Sequence, residues 1–159
     1  MLFYSKIILM LGLSSYLTIA VCNNFLDKGT NTFLLEQMLG MSLLKSDPLL
    51  GNGLLHRHIN NPKFSIILLR IIAIVQLCIA LNLWVSTGYM IDALFNAEKT
   101  PLAIQYATFS LTAFMSLWFF FWCGGLWFGY WIKTGQIQEV HMKLILLSLL
   151  SIIFIQFGM

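Results

Sequence analysis

Charge is what this sequence has least of. Among 159 residues there are nine Lys or Arg and six Asp or Glu, against 59% hydrophobic residues. So few charges cannot cover the water-facing surface of a soluble domain of that size. The bases are strung out singly, without the block that nucleic acid or a polybasic lipid contact requires, which predicts no nucleic-acid partner. Cysteine is scarce as well. Cys22, Cys78 and Cys123 are odd in number, form no CxxC and lie within or at the ends of apolar runs, so they read as small apolar helix residues. The sequence also lacks a nucleophile elbow, a phosphate loop, an HExxH and any pair of carboxylates inside an apolar run. Every acid falls in a connection, and no imidazole lies deep enough in facing runs to hold haem. His56, His58 and His141 would share one membrane side, but no carboxylate or cysteine at ligand spacing accompanies them. These absences predict no catalytic residue, no metal centre and no cofactor, hence a non-enzymatic protein.

What is present is hydrocarbon. Mean hydropathy is +0.85, and four apolar runs reach membrane length: 2–22, 64–86, 102–123 and 140–158. As helices, each satisfies its own backbone hydrogen bonds across about 30 Å of lipid. The fold class predicted is an all-α membrane protein, a four-transmembrane-helix bundle forming one domain over 1–159. The third run and its sequel, LTAFMSLWFFFWCGGLWFGYW from Leu111 to Trp131, are aromatic on every face of a helix, which lipid accepts and a soluble core does not. The pair Gly124 and Gly125 is expected to end that span. Trp127, Phe128, Tyr130 and Trp131 then fall at the headgroup layer, where amphipathic rings prefer to sit.

The first run follows Lys6, and its end faintly resembles a lipoprotein cleavage box. Val21 is too large for the position before Cys22, so the run is read as a true span. Ser14, Thr18 and Cys22, four apart, give it a small-residue strip for a neighbouring helix. Asn23, Asn24, Asp27 and Gly29 stop this helix. An interfacial helix is expected over 33–44, capped from Thr30–Thr32, because its twelve apolar residues are too short to span. Asp47 with Pro48, Gly51 to Gly53, and Asn60 to Pro62 are turn chemistry. The second span carries Arg70, Gln76 and Asn82 at about 0°, 240° and 120° around the helix, so they form no single polar stripe. Arg70 is expected to snorkel to the headgroups, with an interior ion pair or a ligand contact as the alternative. On the third span Gln105, Thr108, Thr112 and Ser116 share a face expected to meet sister helices, with Phe109, Leu117 and Phe120 towards lipid. A polar pore lining is the sharper alternative for that face.

Four groups of residues together resemble a bacterial family of predicted small integral membrane proteins, a domain of unknown function, over nearly the whole chain. They are Asn23, Asn24, Asp27, Asn31, Phe33, Leu39 and Met41; Arg57, Ile59 and Pro62; Phe95, Asn96 and Lys99; and Gly124, Gly125, Trp127, Phe128 and Trp131. The chain departs from the family pattern at Gln37, Gln76 and Leu126, where the family carries a His, a Glu and a Glu. Chemistry that relied on those ionisable groups is not expected to carry over to this chain. The resemblance implies a bacterial inner-membrane protein with both termini cytoplasmic. The positive-inside rule leans the other way, because Lys6 and Lys99 share the terminal side while Lys28, Lys45, Arg57, Lys63, Lys133 and Lys143 lie opposite.

With the termini inside, the Asn23–Asn31 turn, the interfacial helix and the Gly124–Trp131 belt meet on the outer face as a cap. Asx side chains there would face tryptophan N–H donors. Two functions from different classes follow. The first is an accessory or scaffold subunit with a membrane-protein partner or a second copy of itself. The second is a lipid or small-molecule binder or transporter with a pocket under the cap, lined by Arg70, Gln76 and Trp127.

Overall fold

Each long helix begins or ends where the sequence supplies a local reason. In the computed structural model, which describes residues 1–27, 29–47 and 49–158, α1 is Leu2–Leu26, α2 Thr30–Leu39, α3 Ser42–Lys45, α4 Pro62–Asp92, α5 Thr100–Trp127 and α6 Gly135–Gln156. Single 3-10 turns follow at Asn52–Arg57, Ala97–Lys99 and Tyr130–Ile132, and no strand occurs among the described residues. Lys28 of the charge tally and the expected turn residue Pro48 lie outside the described residues. Asn61 caps α4 by accepting from the Phe64 N–H at 3.3 Å, and Pro62 sits in the first turn, where its missing N–H costs nothing. Four helices, α1, α4, α5 and α6, are long and apolar enough to cross a membrane.

Each of these four packs on its neighbour in the order α1, α4, α5, α6. Met10, Leu17, Leu83, Leu111 and Phe114 form a fully buried centre. The small-residue strip of α1 works as a contact surface: Ser14 Oγ lies 3.2 Å from Thr87 Oγ1, and the Trp84 indole donates to Thr18 Oγ1 at 3.0 Å. Between α4 and α5 the Ser86 and Ser110 hydroxyls hydrogen-bond each other, and Ser86 also donates to the Tyr106 carbonyl. Small side chains at these crossings let backbones approach, which substitutes for the hydrophobic drive that lipid does not provide. At the terminal end Lys6, 3% exposed, donates to the carbonyls of Ile155 and Phe157 at 2.8 Å each. It thereby caps the C-terminus of α6, whose last carbonyls have no helical partner.

Four local expectations are corrected. The stretch 33–44 is two helices, broken at Gly40 and at Met41, whose φ of 51° is left-handed. Helix α2 begins at Thr30, inside the stretch expected to cap it, and its N-cap residue, Gly29, has no side chain. Asp27 supplies a cap from outside the helix, its Oδ1 accepting from the Thr30 and Gly29 N–H groups, which holds its carboxyl below the usual range. The Gly124–Gly125 pair lies inside α5, which runs on to Trp127, and the chain turns at Gly129, whose φ of +64° is cheap only for glycine. On α5 the inward face is Ala103, Ala107, Ser110, Phe114, Leu117 and Trp118. Gln105, Thr112 and Ser116 point outward and Thr108 is half-buried. Phe109 and Phe120 do face outward as expected, but Leu117 is buried. Size decides this face: the narrow α4 crossing selects Ala103, Ala107 and Ser110 rather than the longer Gln105.

Candidate functional site

Asn24 lies in the last turn of α1, and antiparallel packing brings it level with Gln76 on α4. Its Nδ2 donates to Gln76 Oε1 at 2.6 Å, and Asn31 in the first turns of α2 donates to Asn24 Oδ1 at 2.7 Å. Three amides thus run in one direction from the α2 edge to Gln76, which is 4% exposed. Helix α4 continues 14 residues beyond this level to Pro62, about 21 Å at 1.5 Å per residue, and α2 packs along that extension.

On the opposite wall, Tyr130 folds back from the turn after α5 onto Gly125. A Cβ at Gly125 would lie 2.6 Å from Tyr130 Cδ1 and closer still to Cε1 and Cζ, so only glycine admits the ring there. Burial raises the Tyr130 pKa, so the phenol keeps its proton and can donate to His141 Nδ1 at 3.2 Å. The His141 ring also stacks on Trp118 with centroids 6.0 Å apart. Between these walls lies a cavity of about 390 Å³, roofed by Met38, Leu39 and Leu44 of α2 and α3 and sided by Ile72 and Phe121. Gln76 and Asn24 line one side and Tyr130 and His141 the other. Leu34, Leu43 and Ile137, lining residues that are themselves exposed, mark its rim.

Of the residues expected in the cap, Asn24, Asn31, Gly124, Gly125 and Phe128 line this cavity together with Gln76. Asn23 is exposed and contributes only its carbonyl, which accepts from the Asp27 N–H at 2.9 Å. The Asx side chains pair with one another and with Gln76, not with tryptophan N–H groups. Trp127 and Trp131 are half-exposed outside the cavity. Arg57 lies over the Trp127 ring, 4.3 Å from its centroid, and donates to the Trp127 carbonyl at 3.2 Å. Arg70 is exposed and absent from the lining, six residues or about 9 Å beyond Gln76 on the cap side. That position is past the end of α1, at the level of the aromatic belt. Sequence reasoning placed Tyr130 in the headgroup belt, whereas it is buried on Gly125, and missed the packing role of His141. Their signal was present in a glycine five residues before a tyrosine, but a glycine pair near a span end reads first as a stop. Among the described residues no three His, Cys, Asp or Glu side chains are grouped to hold a metal ion.

Residues 2–157 match the family described as predicted small integral membrane protein (DUF2165). The chain belongs to that family. Neither a curated protein nor a solved structure matches it. As a member of this family of small integral membrane proteins it lies in contact with a lipid bilayer, and its four long apolar helices are the spans.

Two expected results test the construction of the cap in this integral membrane protein. Asn24→Ala removes the middle of the amide chain and leaves Gln76 Oε1 unpaired, which should cost about 1–3 kcal/mol. Trp127→Ala should cost under about 1 kcal/mol, since it removes an exposed ring and a surface cation–π contact. Thermal melts in mild detergent measure both, and equal losses would contradict the assignment. The second result concerns Asp47, which pairs with Lys133 and accepts from the Leu49 and Leu50 N–H groups, so that its pKa falls from 3.8 to about 2. A depressed folded-state pKa stabilises above the unfolded value and is lost as pH falls through the folded one. The contribution of Asp47 should therefore be constant above pH 4 and disappear between about 4 and 2. Asp47→Asn should flatten the melting temperature over that window.

Proposed function

We propose that this protein is a non-enzymatic binder of a small membrane amphiphile, held in the cavity beneath the cap. One observation carries the reading: a mostly apolar space of about 390 Å³ with hydrogen-bonding groups on two facing walls. Ligand sites are concave and apolar with few polar groups, and this space falls within their usual size range. Native mass spectrometry of protein extracted in mild detergent tests it. One retained lipid-sized molecule per chain supports the reading, and bare protein alone, with the fold intact by circular dichroism, contradicts it.

A second reading, an accessory or scaffold subunit of a larger membrane assembly or a homo-oligomer, is favoured by the outward polar face of α5. Gln105 is exposed there without a hydrogen-bond partner among the described residues, and polar groups facing lipid promote helix association. Stoichiometric co-purification of a partner supports that reading, and a lone monomer in mild detergent counts against it.

The location proposed is the bacterial inner membrane, with both termini cytoplasmic and the cap outside, on the strength of the family resemblance and against the spread of lysines. In a cysteine-free background, Ser46→Cys should then react with a membrane-impermeant maleimide in intact spheroplasts. Labelling only after lysis would reverse the orientation.

A further inference from the structure

Gln76 accepts through Oε1 from Asn24, but its Nε2 makes no hydrogen bond among the described residues, although the side chain is 96% removed from solvent and lines the cavity. This N–H is open to the cavity and not sealed in the core, and no acceptor among the described residues meets it. The direction of the amide chain fixes what is left over. Asn31 donates to Asn24 and Asn24 to Gln76, so each amide polarises the next, and Gln76, which donates to nothing among the described residues, keeps both of its N–H groups. We infer that the cavity holds a single-chain membrane amphiphile whose uncharged carbonyl oxygen accepts a hydrogen bond from Gln76 Nε2. This rests on the proposed binding function and names the chemistry of its ligand.

Three further observations narrow the class. The space of about 390 Å³ is of a size to take one apolar chain. The polar end is uncharged: among the described residues no acid lines the cavity, and the lysine that does, Lys133, is already paired with Asp47. A charged headgroup would therefore be buried without a counter-charge. The chain end has apolar walls to lie against, among them Leu69, Ile72 and Phe121.

Photo-crosslinking tests this on the full chain in lipid nanodiscs, using a methyl tetradecanoate that carries a diazirine in its chain. Adducts should map to peptides containing Ile72 or Phe121. Unlabelled methyl dodecanoate, an acceptor without a donor, should displace the probe at about one-tenth the concentration of dodecane, the value of one neutral hydrogen bond. Dodecanoate should compete less well than its ester, and a decyl-substituted benzoquinone at least as well as the ester if the natural carbonyl belongs to a quinone rather than an acyl chain. Gln76→Leu should make ester and alkane equal while labelling persists. If that variant does not fold, Gln76→Met makes the same comparison with the side chain's length kept. Labelling at the cavity with no preference for the ester overturns the carbonyl contact and leaves the binding function standing. Labelling that avoids the cavity overturns both.

Discussion

Replacing Gly125 with valine should lower the melting temperature in detergent by about 10 °C, the equivalent of about 3 kcal/mol for a chain of this length. The side chain has nowhere to go. Its Cβ would clash with three atoms of the Tyr130 ring, and Tyr130, 7% exposed, is hemmed in by α5 behind it and His141 in front. The adjacent glycine is the control. Nothing lies within 4 Å of a Cβ at Gly124, so Gly124→Ala should be neutral or stabilising by up to about 1 kcal/mol, as helix propensity favours alanine. Removing the obstacle tests the cause. In the double variant Gly125→Ala with Tyr130→Ala, the loss should be smaller than the two single losses added together. Strict additivity would show that Gly125 matters for some other reason.

At the opposite end of the bundle, Lys6→Met should cost about 2–3 kcal/mol. Methionine keeps the length and apolar stem of the side chain but leaves the carbonyls of Ile155 and Phe157 without the donors they now share. Hydrogen bonds to a charged group are the stronger class, and helix C-termini favour a cation. The loss should appear first as faster hydrogen exchange in the last turn of α6, because Lys6 is what ties that turn to α1. Lys6→Arg, which retains the charge and more donors, should recover part of it. A melting temperature within about 1 °C of the parent for Lys6→Met would mean that lipid headgroups or water replace the lysine without loss.

These two sites also mark where the sequence stops being readable. The four spans were legible because each is a local property: apolar length, with Asn60 to Pro62 marking the start of the second. Ser14 and Thr18 were legible as a contact strip because helical spacing places them on one face, and the structure sets that face against α4. The amide chain was half legible. Asn24 and Asn31 were expected in one turn and Gln76 as an intramembrane polar group, but their meeting depends on the register of α1 against α4, which no local pattern encodes. The outward turn of Gln105, Thr112 and Ser116 was misread for a related reason. Both faces of α5 offer small residues, and only the partner helix selects Ala103, Ala107 and Ser110. Lys6 was invisible as a cap because its acceptors lie about 150 residues away, at the other end of the chain. The break at Met41 was hidden because its backbone angle is one that non-glycine residues seldom adopt.

The central claim is that the space under the cap exists to be filled by a ligand, and a cavity-filling variant addresses it most directly. Ile72 is half-buried on the cavity wall, and Ile72→Trp places an indole into the space while leaving the amide chain and the Gly125–Tyr130 contact untouched. Lipid retained per chain should be counted by native mass spectrometry for the parent and for Ile72→Trp, each shown to be folded by its melting temperature. The account predicts that the parent carries one molecule and the folded variant none; an equal load on both would contradict it.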